Sequence, residues 1–300
     1  MAEDLTLDIL LPYWGDPDLL RATIGSVLAQ TSSDWPLTVV DDAYPDRSAG
    51  EWVEDLATRD PRVRYVRKDV NEGITANYRT CLSLATRDRV VFLGCDDLME
   101  PDYVEVVLAA HAAHPHAAVI QPGVRVIDED GAVVRPLADR VKQALVRPRV
   151  RGERLLAGEP LATSLLHGDW LYWPSLAMRR DVLEETGFRD DMPLIQDLAL
   201  VIDMTAAGHS LLLLERECFR YRRHVASASS ASLLDGRRFA GERAYFALAA
   251  DQVAALGWRR ARRAARLHWT SRVHALTLLP TAARRAPRHL GTLLRHALGS

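Results

Sequence analysis

The sequence predicts an α/β protein: a mostly parallel sheet flanked by helices, followed by a helical C-terminal extension. Three observations carry this. Apolar runs alternate with amphipathic stretches through the first hundred or so residues, the pattern of parallel strands joined by crossover helices. Three of those runs break off at polar or acidic residues: Pro12-Tyr13, Asp41-Asp42 and Asp96-Asp97. From about Arg237 onward the periodicity is helical throughout.

Each element follows in order. "LDILLPYW" reads as the first strand, and "DPDLLRATIGSVLAQT" as a helix with apolar residues at helical spacing and Asp16 or Asp18 able to cap it. "PLTVVDDAYPD" is a strand ending in acids, "AGEWVEDLATRD" a helix and "RVRYVRKDV" a third strand. "GITANYRTCLSLAT" supplies the next helix and "DRVVFLGCDD" the fourth strand. Residues 102–115 read as a helix, and "AAVIQPGVRVIDEDGAVVRP" as two strands joined at Glu129-Asp130-Gly131, a hairpin signal. Residues 137–168 are weakly patterned. "WPSLAMRRDVLEETGF" gives a strand and a helix, "LIQDLALVIDMTAAGH" a helix stopped at Gly208, and "SLLLLERECFRYRRH" a late strand or two. The helical tail is expected to break at Pro280 and Pro287.

Of the 300 residues, 48% are apolar and 26% charged, a composition that supports a sizeable core. The formal charge of −2 conceals an asymmetry, since no acid follows Asp251 while many arginines do. Cys81, Cys95 and Cys218 are odd in number and lack a C-x-x-C pair, which argues against a disulfide framework or thiolate zinc site and fits a reducing, cytoplasmic setting. The acidic N-terminus has too short an apolar run for a signal peptide, and no stretch approaches the ~20 apolar residues of a spanning helix. "HAAHPH", residues 111–116, lacks a closed zinc ligand set.

The pair Asp96-Asp97 raises the functional question, because two carboxylates at the end of a buried strand repel and are costly to desolvate. A turn or helix cap is one reading. A hard divalent cation, Mg²⁺ or Mn²⁺, is the other; it suits oxygen ligands and completes its shell with water and substrate phosphate. Acids at the carboxyl ends of parallel strands also lie where open sheets bind ligands.

"ILLPYWGDPDLLRATIGSVLAQT", "VVDDAYPD", "NEGITANYRTCLSLA" and "VVFLGCDDLMEPDYVE" resemble, in order and spacing, the nucleotide-sugar half of inverting family 2 glycosyltransferases of the GT-A, Rossmann-like fold. The resemblance spans about residues 5–110 and continues more loosely to about residue 230. It implies that Pro12 and Tyr13 line a base pocket and that Asp41 and Asp42 hold base and ribose. Asn71, Gly73 and Asn77 would pass over the nucleotide, with Arg79 toward the pyrophosphate, while a solvated turn and an exposed helix arginine are the plain alternatives. Asp96 would meet donor and metal together, joined on the metal by Asp97 and by His224 in "YRRHVAS". The chain departs from the family where Gly94 replaces the first acid of D-x-D, which puts ribose binding in doubt; Cys95 reads as a small buried residue.

Asp197 matches the family's general base at a helix start, with cap as its plain alternative and Gln196 beside the acceptor. Trp170, Tyr172 and Trp173 form the densest aromatic cluster and read either as acceptor-lining residues or as core. The resemblance thus implies a metal-dependent, inverting transfer of a sugar from a nucleotide diphosphate sugar to an acceptor hydroxyl. Its expected organisation is a catalytic domain over 1–235, divided into a nucleotide-sugar half (1–110) and an acceptor half (111–235), with a basic helical extension over 236–300. A sugar-phosphate nucleotidyltransferase should carry a Gly-rich, basic loop after its first strand, which "LPYWGDPDLL" lacks; a non-catalytic nucleotide-binding relative is the other alternative. In the extension, Arg259, Arg262, Arg263 and Arg266 share one helix face, which suits either a solvated face or peripheral contact with the inner face of a membrane. Nucleic acid is not expected, since no recognisable module or aromatic interleaving is present.

Overall fold

The computed structural model describes residues 5–136, 139–140, 142–190, 192, 195–223 and 237–298. Its strands are β1 (Leu7–Tyr13), β2 (Leu37–Asp41), β3 (Val63–Arg67), β4 (Arg89–Phe92), β5 (Leu98–Met99), β6 (Ala117–Ile127), β7 (Glu153–Ala157), β8 (Ala177–Arg179) and β9 (Ser210–Arg222). They form one sheet in the order β3-β2-β1-β4-β8-β6-β9-β5, with β7 also paired to β9. The first four strands are mutually parallel, and β8 enters antiparallel between β4 and β6.

The crossovers are helical. In the first half they are α1 (Pro17–Leu28), α2 (Ser48–Arg59), α3 (Ile74–Leu84) and α4 (Tyr103–Ala113). Further along come α5 (Gly158–His167), α6 (Arg180–Thr186) and α7 (Gln196–Ala206). The tail consists of α8 (Arg237–Ala255), α9 (Arg259–Leu267), α10 (Trp269–Arg285) and α11 (Leu290–Leu298). Asp16 caps α1, its side chain accepting from the amides of Asp18 at 2.8 Å and Leu19 at 3.2 Å.

Strand alternation divides the core. Leu7, Ile9, Leu11 and Tyr13 of β1 point toward α1, α2 and α4, whereas Leu10 joins Val40, Val90 and Phe92 facing α3, α5 and α7. The tail is built into that second layer. Tyr245, Phe246 and Val253 of α8 and Ala261, Ala264 and Ala265 of α9 belong to the same buried cluster as α7, and Gln252 donates to Asp203 of α7 at 2.8 Å. Only α10 and α11, with Phe239, form a small cluster of their own.

Three local expectations are corrected. After Gly131 only an isolated bridge, Ile127 to Val133, forms where a second hairpin strand was expected, because β6 finds its partners in β8 and β9. The weakly patterned region contains β7 and α5, whose Leu161, Ala162, Leu165 and Leu166 are buried at helical spacing. Pro280 lies inside α10, on its exposed side, while the helix does end just before Pro287 as expected; the tail also turns at Gly257 and at His268, which adopts φ 25°. His111 is sealed in the core, where burial lowers its pKa to about 3 and keeps the ring neutral. Among the described residues no helix is long and apolar enough to cross a membrane.

Candidate active site

The carboxyl ends of β1, β2 and β4 meet one another, with Tyr13 in register with Asp41. Past β4 the chain turns through Gly94 and Cys95 into the acidic pair. Asp97 is 1% exposed, and its Oδ1 accepts the backbone N–H of Arg222, at the end of β9, at 2.7 Å. Burial, and then the charge of Asp96, hold its carboxyl well above the usual carboxylate range. The Arg222 side chain donates to carbonyls, Nε to that of Asp96 at 2.8 Å and Nη1 to those of Asp128 and Glu129 at 2.9 and 2.8 Å, and its charge partly offsets the rise at Asp97.

Two adjacent carboxylates of this kind suit a hard divalent cation, which completes its shell with water and substrate phosphate. Among the described residues no three His, Cys, Asp or Glu side chains gather as a closed metal site. His224 lies outside the described residues. Cys95 is packed with its Sγ 2.9 Å from where a Cβ on Gly15 would stand, and burial pushes its thiol up to about 12, so it stays protonated.

Gly94 is required by this geometry. A Cβ there would lie 2.4 Å from Oδ2 of Asp97 and 3.1 Å from Oδ1 of Asp96. Gly94→Asp, the change that would rebuild D-x-D, is therefore expected to displace the Asp97 carboxylate from the Arg222 amide. It should lower stability by about 1–3 kcal/mol, the cost of a disrupted buried hydrogen bond, read in a denaturant melt.

On the β2 side both acids, expected beside base and ribose, make hydrogen bonds within the frame. Asp41 is fully buried: Oδ1 accepts the Tyr44 amide at 2.7 Å, and Oδ2 takes the Tyr65 hydroxyl at 2.6 Å together with the Arg67 guanidinium. Asp42 accepts the amides of Glu72 at 3.1 Å and Gly73 at 2.9 Å and pairs with Lys68, so it fixes the turn that enters α3. Asn71 closes that turn onto the Gly73 amide at 3.0 Å, and Gly73 adopts the φ of +87° that the turn demands. Asn77 is buried, donates to the Val40 carbonyl at 3.0 Å and leaves its Oδ1 without a protein partner.

Pro12 and Tyr13 lie inside the central strand, buried on both faces, and Tyr13 has no surface to offer. The aromatic that does is Trp14, 47% exposed and set edge-on against Tyr44 at 5.2 Å between ring centres. The sequence signal for it was its place one residue beyond the buried strand. Arg79 reaches away from the acidic pair, binding Asp190 and donating to the Phe188 carbonyl at 2.8 Å, and so moors the segment ahead of α7.

Asp197 stands in the first turn of α7, with its Oδ1 accepting from the Leu198 amide at 2.8 Å. Gln196 holds this end in place by donating to Thr75 of α3 at 3.0 Å and to the Arg189 carbonyl; its Oε1 is buried without a protein partner. Beneath lies an aromatic floor in which Trp173 stacks on Phe92 at 5.6 Å and Tyr78 on Phe188 at 5.6 Å, linking the strand that leads to Asp96 with the segment that leads to Asp197. Trp170 is 1% exposed, with its indole N–H donated to Ser164 at 3.0 Å, and is a core residue; the acceptor reading is corrected there. Tyr172 is also buried, its hydroxyl 3.3 Å from Asp139, which in turn forks with Arg223 at 2.7 and 2.6 Å.

Burial raises the pKa of the Tyr221 phenol, near the end of β9, and the charges of Asp97, Asp96 and Asp197 raise it further, against the opposing charge of Arg223.

The profile described as Glycosyl transferase family 2 matches residues 8–187. The glycosyltransferase EpsJ of Bacillus subtilis, itself uncharacterised, is 24% identical over 74% of this chain and 62% of its own length. The putative glycosyltransferase EpsE of the same organism is 31% identical over 42% of this chain, which spans 45% of that relative. The chain therefore covers less than two thirds of these relatives. Among solved structures, TarS residues 1–349 from S. aureus in complex with UDP-GlcNAc superposes with a TM-score of 0.69 at 11% identity, over 98% of this chain and 82% of that one. At such low identity the likeness establishes the fold, a GT-A sheet with a helical C-terminal region.

Proposed function

Because the chain belongs to glycosyl transferase family 2, we propose that it transfers a sugar from a nucleotide diphosphate sugar to an acceptor hydroxyl, with a divalent cation and with inversion. The acidic pair Asp96-Asp97 just past the carboxyl end of β4, with Asp97 buried against the Arg222 amide, is the observation that carries the reading. The base would stack on the exposed indole of Trp14. The turn fixed by Asp42 would border the nucleoside, and the unpartnered Oδ1 of Asn77 would accept from a ribose hydroxyl or base N–H. Asp96 and Asp97 would hold Mg²⁺ or Mn²⁺, which when bound neutralises charge on the departing diphosphate.

Asp197 would take the acceptor's proton as that oxygen attacks the anomeric carbon. The bond to the diphosphate oxygen breaks with its electron pair, and a single displacement inverts the centre. Gln196 and the Arg79 tether fix the height of α7 above the sugar, and the aromatic floor keeps the two acidic centres in register. This reading is tested by melting the protein with UDP, GDP and dTDP and their sugars, with and without Mn²⁺. At least one nucleotide should stabilise it in a Mn²⁺-dependent manner, by ~2.7 kcal/mol at a hundredfold excess over Kd; no shift with any of them refutes the reading.

A further inference from the structure

The helical tail exposes apolar side chains where a soluble helix normally places polar ones. Residues 237–298 carry seven of the fourteen large apolar side chains exposed among the described residues. On α10 the outward stripe includes Val273 and Leu276, 47% and 46% exposed, and ends at Arg284. On α11, which packs against α10, it consists of Leu294 and Leu298 with Arg295 beside them, and Leu298 is 72% exposed. The neighbouring α9 buries its alanines in the core and turns its arginines outward. No Asp or Glu occurs between residues 252 and 300 to oppose these cations.

We propose that this α10–α11 face docks on an anionic phospholipid bilayer, its arginines among the headgroups and its leucines at the acyl boundary. Charge chooses the occupant. A second copy of the chain meeting the same face would set arginine against arginine, with no acid on α10 or α11 to separate them. A polyanion such as nucleic acid would satisfy the arginines and leave the leucine stripe in water. An anionic membrane surface satisfies both, since such helices combine a basic face with apolar side chains that enter the interface. With no described helix able to cross a bilayer, the contact is peripheral. It is independent of the transfer reading, because these helices contribute none of the residues assigned to the site.

The experiment is co-sedimentation of the whole protein with vesicles of about one-third phosphatidylglycerol in phosphatidylcholine, against phosphatidylcholine alone. The expected result is binding to the anionic vesicles at least tenfold tighter than to the neutral ones, weakened by salt. Leu276→Glu with Leu298→Glu should lower that affinity at least tenfold, leaving Mn²⁺-dependent nucleotide stabilisation unchanged. If that pair fails to fold, Arg284→Glu with Arg295→Glu, both on the surface, should do the same. Equal binding to both vesicle types, wild-type affinity in a folded variant, or a dimer that the leucine substitutions dissolve overturns the proposal. A protein that binds lipid but no nucleotide refutes the transfer reading alone.

Discussion

Asp197→Asn is expected to lower sugar transfer by about 10²–10⁴-fold, the usual contribution of a positioned base, while leaving nucleotide affinity within about twofold. The substitution is isosteric and retains the oxygen that accepts the Leu198 amide, so the first turn of α7 keeps its geometry. Gln196 still anchors that end of the helix to Thr75. What disappears is the capacity to take a proton from the acceptor as its oxygen becomes nucleophilic. Single-turnover transfer and titration calorimetry with the nucleotide diphosphate separate the two effects. Undiminished transfer would remove Asp197 from the chemistry and leave it as a helix-terminal residue.

Asp97→Asn should give the opposite signature, with the free protein holding or gaining stability while cation-dependent binding weakens. In the free protein Asp97 is desolvated and faces the Asp96 charge, so its folded pKa lies above the usual value near 3.8. The sign follows from proton linkage. The folded chain retains a proton that the unfolded chain has released, so the carboxyl's contribution is complete below pH ~3.8 and is lost as pH rises through the folded value. Asparagine never ionises and keeps an oxygen for the Arg222 amide, so its melting temperature should equal or exceed that of the parent at neutral pH. Nucleotide affinity in Mn²⁺ should fall at least tenfold, about 1.4 kcal/mol, while affinity without metal stays the same. An unchanged Mn²⁺ response would exclude Asp97 from the cation site.

The first four strands and their helices were legible because each is declared by local pattern: continuous apolar runs, a capping Asp16, a glycine at the turn before α3. Its carboxylates were legible as positions but not as partners. Nothing local to "VVDDAYPD" reveals that Tyr65 and Arg67 of β3 consume Asp41, since that depends on the register of a neighbouring strand. Trp170 stayed open between acceptor wall and core, and Trp14 was not singled out, for a related reason. An aromatic cluster looks alike whether buried or displayed, and only tertiary packing assigned Trp170 to the core and left Trp14 at the surface. The tail showed its helices and its charge, whereas the merging of α8 and α9 with the layer around α7 rests on distant contacts such as Gln252 with Asp203.

The crowding at Gly94 also bears on how this motif can change by descent. With Asp97 folded back to within 2.4 Å of where a Cβ would sit, the two positions are not free to vary separately. Any side chain gained at position 94 must move the Asp97 carboxylate in the same step, so the loop and its buried bond to the Arg222 amide change together.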